Sequence, residues 1–254
     1  MNSVSESGDS SFNFRRERKY LVSVERLNEF HDWLKPILTR DKNDKNSTGY
    51  FNHSVYFDSP AYTNYADKKE GISIRIKPRL RTYRNTKDGD PTAYFLEFKN
   101  RLNEVNWKER QQIDSTITSR LLVGSGILDE RDIGHSELLT KFFILNRRFA
   151  LIPAATVLYH RRAFTCKLDP SLRITFDTGI TGALSAPLDN NANDFQYVLP
   201  PGQAILEIKY DFGYPTWLSR IVTDLELELI SVSKYGLALE SLLSSYRCRV
   251  NQLE

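Results

Sequence analysis

Along residues 72–83, ISIRIKPRLRTY, Arg75, Lys77, Arg79 and Arg81 share one parity while Ile72, Ile74, Ile76 and Leu80 share the other. A period of two predicts a strand with two chemically opposite faces. Cations about 7 Å apart along one strand face repel one another, so that face belongs in water or opposite something densely anionic. The same alternation recurs at Arg15, Glu17 and Lys19 against Phe14, Tyr20 and Val22, and at Glu97 and Lys99 against Tyr94, Leu96 and Phe98. It returns at Arg173, Thr175 and Asp177 against Leu172, Ile174 and Phe176, and at Glu207 and Lys209 against Leu206, Ile208 and Tyr210.

By this rule eight strands are predicted, at 14–22, 50–58, 72–83, 92–100, 105–113, 156–164, 172–178 and 204–210. Helical spacing predicts helices at 24–34 behind Ser23, at 137–149 behind Ser136, at 215–230 and from Lys234 to about Tyr246. Turn signals lie between strands, at Lys87-Asp88-Gly89-Asp90-Pro91 and Asp169-Pro170-Ser171, so antiparallel connections dominate. Eight strands with one charged and one apolar face predict an α+β fold: an eight-stranded antiparallel barrel with a polar lumen and helices packed on its apolar outside. Such a lumen is only wide enough for side chains or one thin ligand. A lumen of long Arg and Lys side chains therefore suits a phosphate chain.

An ordinary antiparallel sheet with one wet face is the competing explanation of each strand alone. Wet faces carry Thr, Ser, Gln and mixed charges, whereas these concentrate Arg and Lys with a few Glu. Charge is also localised: residues 68–110 hold 12 Lys or Arg against 6 Asp or Glu, while the chain as a whole is +3. A protein coated by duplex nucleic acid spreads its positive charge and has a pI above this chain's 8.7. No nucleic-acid partner is expected.

The chain has 254 residues, of which 40% are hydrophobic and 12% aromatic, ample for a core. No interior linker divides it, so a disordered Ser-rich tail at 1–12 and a single domain at 13–254 are expected. The first dozen residues lack the apolar stretch of a signal peptide and no run approaches the roughly 20 apolar residues of a spanning helix, so neither is expected. Two cysteines, Cys166 and Cys248, exclude a disulfide framework and point to a reducing, cytoplasmic location. The four His, at 31, 53, 135 and 160, have no zinc-type spacing and read as surface or packing residues.

Several short motifs together carry a family resemblance. They are Glu17-Arg18-Lys19-Tyr20, Tyr56-Phe57-Asp58-Ser59, Gly71 followed by Arg79-Leu80-Arg81-Thr82-Tyr83, Phe95-Leu96-Glu97-Phe98-Lys99 and Lys108-Glu109-Arg110. Tyr159-His160-Arg161, Arg173-Ile174-Thr175-Phe176-Asp177-Thr178, Leu206-Glu207-Ile208-Lys209-Tyr210 and Ser233-Lys234-Tyr235 complete the set. In this order, over about residues 12 to 245, they resemble the catalytic domain of vacuolar transporter chaperone (VTC) proteins. That domain is a polyphosphate polymerase of the CYTH-like triphosphate tunnel metalloenzyme superfamily.

The resemblance implies a tunnel that transfers the γ-phosphate of ATP to a growing inorganic polyphosphate chain with a divalent ion, manganese or magnesium. It implies phosphate-binding roles for Lys19, Arg79, Arg81, Lys99, Arg110, Arg161, Arg173 and Lys209. Glu207 would hold the metal, Tyr159 would meet the nucleobase, and Ser233 with Lys234 would close on phosphate at a helix start. Lys68 or Lys69 replaces an Arg of the eukaryotic members, and Ser231 stands where they have a further Lys. Yeast-type complexes add a regulatory domain and membrane helices that this sequence does not display, and the expectation is a chain that acts alone or with a membrane-protein partner that the sequence does not name.

Arg75, Lys77, Arg84 and Arg101 read as solvated, with Arg84 just past its strand and its replacement by Ala nearly silent. Glu17, Glu97 and Glu109 read as partners of neighbouring Arg. Two alternatives stay open. A triphosphatase of the same superfamily has a Glu-x-Glu-x-Lys first strand, but here Arg15 replaces the first Glu and Glu207-Ile208-Lys209 offers one acid. A non-catalytic module binding polyphosphate or nucleotides would use the same cations.

Overall fold

The computed structural model describes residues 16–41, 44, 48–103, 105–123, 128, 130–184, 195–211, 213–231 and 233–250. The expected tail at 1–12 and Arg15 lie outside the described residues. From the N-terminus come β1 (Arg16–Ser23), α1 (Val24–Leu34), β2 (Leu38–Arg40), β3 (Tyr50–Asp58), α2 (Thr63–Lys69) and β4 (Ile74–Arg84). Next are β5 (Tyr94–Leu102), β6 (Val105–Ile113), α3 (Ser115–Leu122), α4 (Glu130–Ile133), α5 (Glu137–Phe149) and β7 (Ile152–Cys166). The chain continues through β8 (Arg173–Leu184), β9 (Gln196–Tyr197), β10 (Gln203–Tyr210), α6 (Thr216–Asp224), β11 (Glu228–Ile230) and α7 (Lys234–Val250). Among the described residues no helix is long and apolar enough to cross a membrane.

The fold is α+β with a mostly antiparallel sheet, and each of the eight strands predicted by alternation is present. The expectation of eight strands closed into a barrel is corrected in two respects. Among the described residues the sheet has eleven strands, and its order, β11-β1-β10-β8-β7-β3-β4-β5-β6 with β2 on β7 and β9 on β8, is open. The added strands, β2, β9 and β11, are two or three residues long, too short for a period of two to register. The helix expected over 215–230 stops at Asp224, because Glu226 takes a left-handed φ of 52° and residues 228–230 pair with β1 as an edge strand. Edge pairing outweighs the helical spacing of Leu225 and Leu229. Helices α2 and α3 escape the periodicity because each is only about two turns long.

Two compact units are distinguished, one from Val55–Thr82 and Ala93–Ala154, the other from Arg15–Ser54, Tyr83–Thr92 and Ala155–Glu254. In the first, Leu80, Leu96 and Phe98 on the apolar parity of β4 and β5 are fully buried, and Phe57 meets Phe142 of α5 edge-on at 5.0 Å. Helix α5 is fixed at its start by Ser136, whose hydroxyl accepts from the Leu139 amide and donates to Gln111 of β6. The Asp58 carboxylate accepts from the amides of Ser59, Asn64 and Tyr65. This motif residue thereby shapes the lead into α2.

In the second unit, the apolar parity of β1, β8 and β10 forms a core with α1 and α6, including Tyr20, Phe30, Phe176, Leu206 and Leu218. Arg84 belongs to β4 and is only 5% exposed, so its solvated reading is corrected: the strand runs one residue further than alternation predicted, and Ala there would remove buried packing. His53 is also fully buried, edge-on to Phe195, with no hydrogen-bond partner among the described residues on either ring nitrogen. Burial first and the charge of Arg84 second push its pKa down to about 3. Between that value and the ordinary one near 6.5, the unfolded chain binds the extra proton, so stability falls as pH falls, by at most about 1.4 kcal/mol per pH unit. Urea midpoints measured from about pH 6 to pH 4 should therefore decline less steeply in His53→Leu than in the wild type, an unchanged slope refuting the assignment.

Candidate functional site

Part of the charged parity of the strands is also buried, with Glu97, Arg161, Asp177 and Glu207 its most enclosed members, and it carries one cluster in each unit. In the first unit, the register sets Arg79 opposite Glu97 and Glu97 opposite Arg110 across β4, β5 and β6. Residues directly opposite share a face, so the sequence alternation delivers these three side chains together. The Glu97 carboxylate is fully buried. Arg79 donates to it through Nε at 2.7 Å and lies 2.6 Å away through a second nitrogen, while Arg81, Lys108 and Arg110 lie at 3.8, 3.4 and 3.5 Å. Burial by itself would push this carboxyl up, but the four cations together hold it well below the usual carboxylate range. Tyr56 receives a hydrogen bond from Arg79 at 3.4 Å, and the Arg110 guanidinium stacks 3.5 Å above Phe95. Four cations share one carboxylate, which leaves these five side chains strongly positive.

Lys108 belongs to the Lys108-Glu109-Arg110 motif, but the sequence reading gives it no phosphate-binding role although it shares the parity of Arg110. Lys99, opposite Lys108 one rung along, is exposed. Lys68 and Lys69 close the last turn of α2, with Lys69 against the Tyr65 ring. Glu109, read as an Arg partner, is corrected: it faces the other way, and pairs with Asn100 and Lys141 of α5.

In the second unit, Arg161 of β7 clamps Asp177 of β8 through two hydrogen bonds of 2.6 and 2.7 Å, both groups buried, and Lys234 at the start of α7 reaches the same carboxylate at 2.5 Å. Glu207 of β10 is held by Lys209 at 2.6 Å and lies 4.0 Å from Arg161. Glu17 bridges Lys19 at 2.5 Å and Lys209 at 3.6 Å, and Arg173 donates to Asp41 at 2.7 Å. Against the opposing effect of burial, the neighbouring cations keep Glu207 well below the carboxylate range and Asp177 below its ordinary value. Asp177 holds Arg161 well above its own. Five cations meet four carboxylates, a near balance that contrasts with the first unit.

Tyr159 sits where the β7–β8 register breaks, between Leu158 and His160. Gly179 on the facing strand supplies the left-handed residue, φ +57°, that such a bulge takes. The Tyr159 ring is 2% exposed, with Arg161 5.3 Å and Lys234 4.8 Å from its centre. Ser233 caps α7 by accepting from the Gly236 amide. The structure thus brings Lys19, Tyr159, Arg161, Glu207, Lys209 and Lys234 into one set of contacts, and Arg79, Arg81 and Arg110 into another. The sequence pattern assigns no anchoring role to Asp177 and Asp41, which organise Arg161 and Arg173. Asp177 alternates visibly with Arg173 and Thr175, whereas Asp41 follows a three-residue strand and gave no periodic signal.

The family model described as the VTC domain matches residues 14–243. No curated protein matches the chain. Similar solved structures include a candidate adenylate cyclase from Bacillus halodurans, 11% identical with a TM-score of 0.49, covering 88% of this chain and 95% of that one. A protein from Pyrococcus horikoshii OT3 is 14% identical with a TM-score of 0.47, over 89% of this chain and 99% of its own. A candidate adenylate cyclase from Vibrio parahaemolyticus is 14% identical with a TM-score of 0.45, over 89% and 98%.

Proposed function

The chain belongs to the VTC domain family, and on that premise we propose that it is a polyphosphate polymerase, transferring the γ-phosphate of ATP to a growing inorganic polyphosphate chain. The observation that carries this reading is the convergence of Arg79, Arg81, Lys108 and Arg110 on one buried carboxylate. Phosphoryl transfer leaves a protein little covalent work beyond positioning the reactants and neutralising oxygen charge. Arg forks and Lys ammoniums do both.

In this reading a terminal oxygen of the chain attacks the γ-phosphorus, the bridging β–γ P–O bond breaks, and ADP leaves with that oxygen. Arg79, Arg81, Lys99 and Arg110 in one unit, and Lys19, Arg161, Arg173 and Lys209 in the other, bind phosphate oxygens. Tyr159 meets the nucleobase, and Lys68, Lys69, Ser233 and Lys234 add phosphate contacts. Glu207 is the residue that would hold manganese or magnesium. Among the described residues no three metal-ligating side chains cluster, but these ions take one or two carboxylates plus phosphate oxygens. The Thr175 hydroxyl, opposite Glu207 in register, is buried without a hydrogen-bond partner among the described residues and fits a further oxygen donor. When bound, the ion would neutralise charge on the transferring phosphate.

Incubation of the purified protein with ATP and manganese should accumulate ADP together with a ladder of polyphosphate chains on a gel. Release of orthophosphate or pyrophosphate alone would make it a triphosphatase. Absence of turnover with polyphosphate still bound would make it a binding module. Arg79→Ala, Arg81→Ala and Arg173→Ala should each lower turnover by about 10²-fold or more, as loss of a preorganised electrostatic donor does. For the first two, thermal unfolding should change little, because three cations still meet Glu97.

A further inference from the structure

Beyond the Arg79–Glu97–Arg110 rung, the same face of β4, β5 and β6 carries two rungs of a different kind. Lys77 stands opposite Lys99, and Lys99 opposite Lys108; then Arg75 stands opposite Arg101, and Arg101 opposite Asn106. Like charges directly opposite in an antiparallel pair destabilise it, and three lysines abreast is an arrangement that folding alone disfavours. Lys77 is half-buried and, among the described residues, makes no ion pair. Its ammonium is pushed down to about 8 by burial first and then by Lys68, Arg75 and Lys99, with Asp58 the opposing charge. Asp58 is itself engaged by three backbone amides. Arg75 is likewise depressed, by burial and by Arg101.

We propose that Lys77, Lys99, Arg75 and Arg101 form a track for the polyphosphate chain beyond the phosphates held at the Glu97 cluster. The track spans four residues past Arg79, about 14 Å at strand rise. It presents point charges at a regular repeat, which a linear polyanion neutralises and water does not. The two rungs hold no aromatic side chain, and single-stranded nucleic acids are gripped by stacking bases on aromatic platforms. The ligand chemistry is therefore an inorganic phosphate chain without bases. The solvated reading of Arg75, Lys77 and Arg101 is replaced by this one, which rests on the polyphosphate assignment above but not on catalysis.

Titrating the purified protein with tripolyphosphate and with polyphosphate of several tens of phosphates tests the track. In Lys77→Ala/Arg101→Ala, affinity for the long chain should fall by at least about fivefold with a shallower salt dependence, while tripolyphosphate affinity changes less than about twofold. Thermal unfolding should occur at the wild-type temperature or above, since a repulsion is relieved. Should the double variant not fold, Lys77→Gln alone is read by the same criteria, with a loss of at least about twofold expected for the long chain only. Unchanged long-chain affinity, an equal loss for tripolyphosphate, or an equal loss for single-stranded RNA of matching charge overturns the track. Length-selective binding without ATP turnover upholds the track and removes the polymerase reading instead.

Discussion

Glu207→Gln should abolish ATP turnover, by at least about 10²–10³-fold, while polyphosphate binding persists. The carboxylate that would take the ion is the one held by Lys209 at 2.6 Å and approached by Arg161 at 4.0 Å. Removing its charge deprives the ion of its protein anchor yet leaves both cations for phosphate. Lys209 still has Glu17 at 3.6 Å, so the substitution should not unfold the chain. ADP release, polyphosphate titration and thermal unfolding measured on the same preparation separate these effects. Turnover near wild type would sink the metal assignment.

Asp177→Ala should be the most destabilising single change at the site. The carboxylate is fully buried and is shared by Arg161, through two hydrogen bonds, and Lys234. Without it two buried cations lose their main counter-charge, and breaking a buried pair in this way costs about 3–5 kcal/mol. For a chain of this size that lowers the unfolding midpoint by roughly 10 °C. The folded-state pKa of Asp177 is depressed, so in the wild type this contribution is complete above the ordinary carboxylate range and is lost as pH falls through the depressed value. A destabilisation below about 1 kcal/mol in urea melts would show that Arg161 and Lys234 are stabilised elsewhere.

Much of this was legible in the chain because the relevant signal is local. A period of two located β3 and β6 at their observed limits and placed Arg79, Arg81, Glu97, Arg173 and Glu207 on charged faces. Ser23 and Ser136 announced α1 and α5 through their capping chemistry. Motif order announced the VTC domain family. Pattern could not see β2, β9 and β11, which hold fewer residues than one repeat requires, and it could not stop α6 at Asp224, where pairing with β1 decides.

The sequence by itself determined which side chains share a strand face wherever a strand runs unbroken, since there parity is a property of backbone geometry; at the Tyr159–Gly179 bulge the pairing of β7 with β8 shifts it. Only the tertiary structure decided which charges meet, because register is set by how strands hundreds of atoms apart in the chain align. It made Glu97 the shared anchor of four cations, gave Asp177 to Arg161 and Lys234, and gave Asp41 to Arg173. It also set Lys77 abreast of Lys99 and Lys108, three like charges that parity alone does not place side by side.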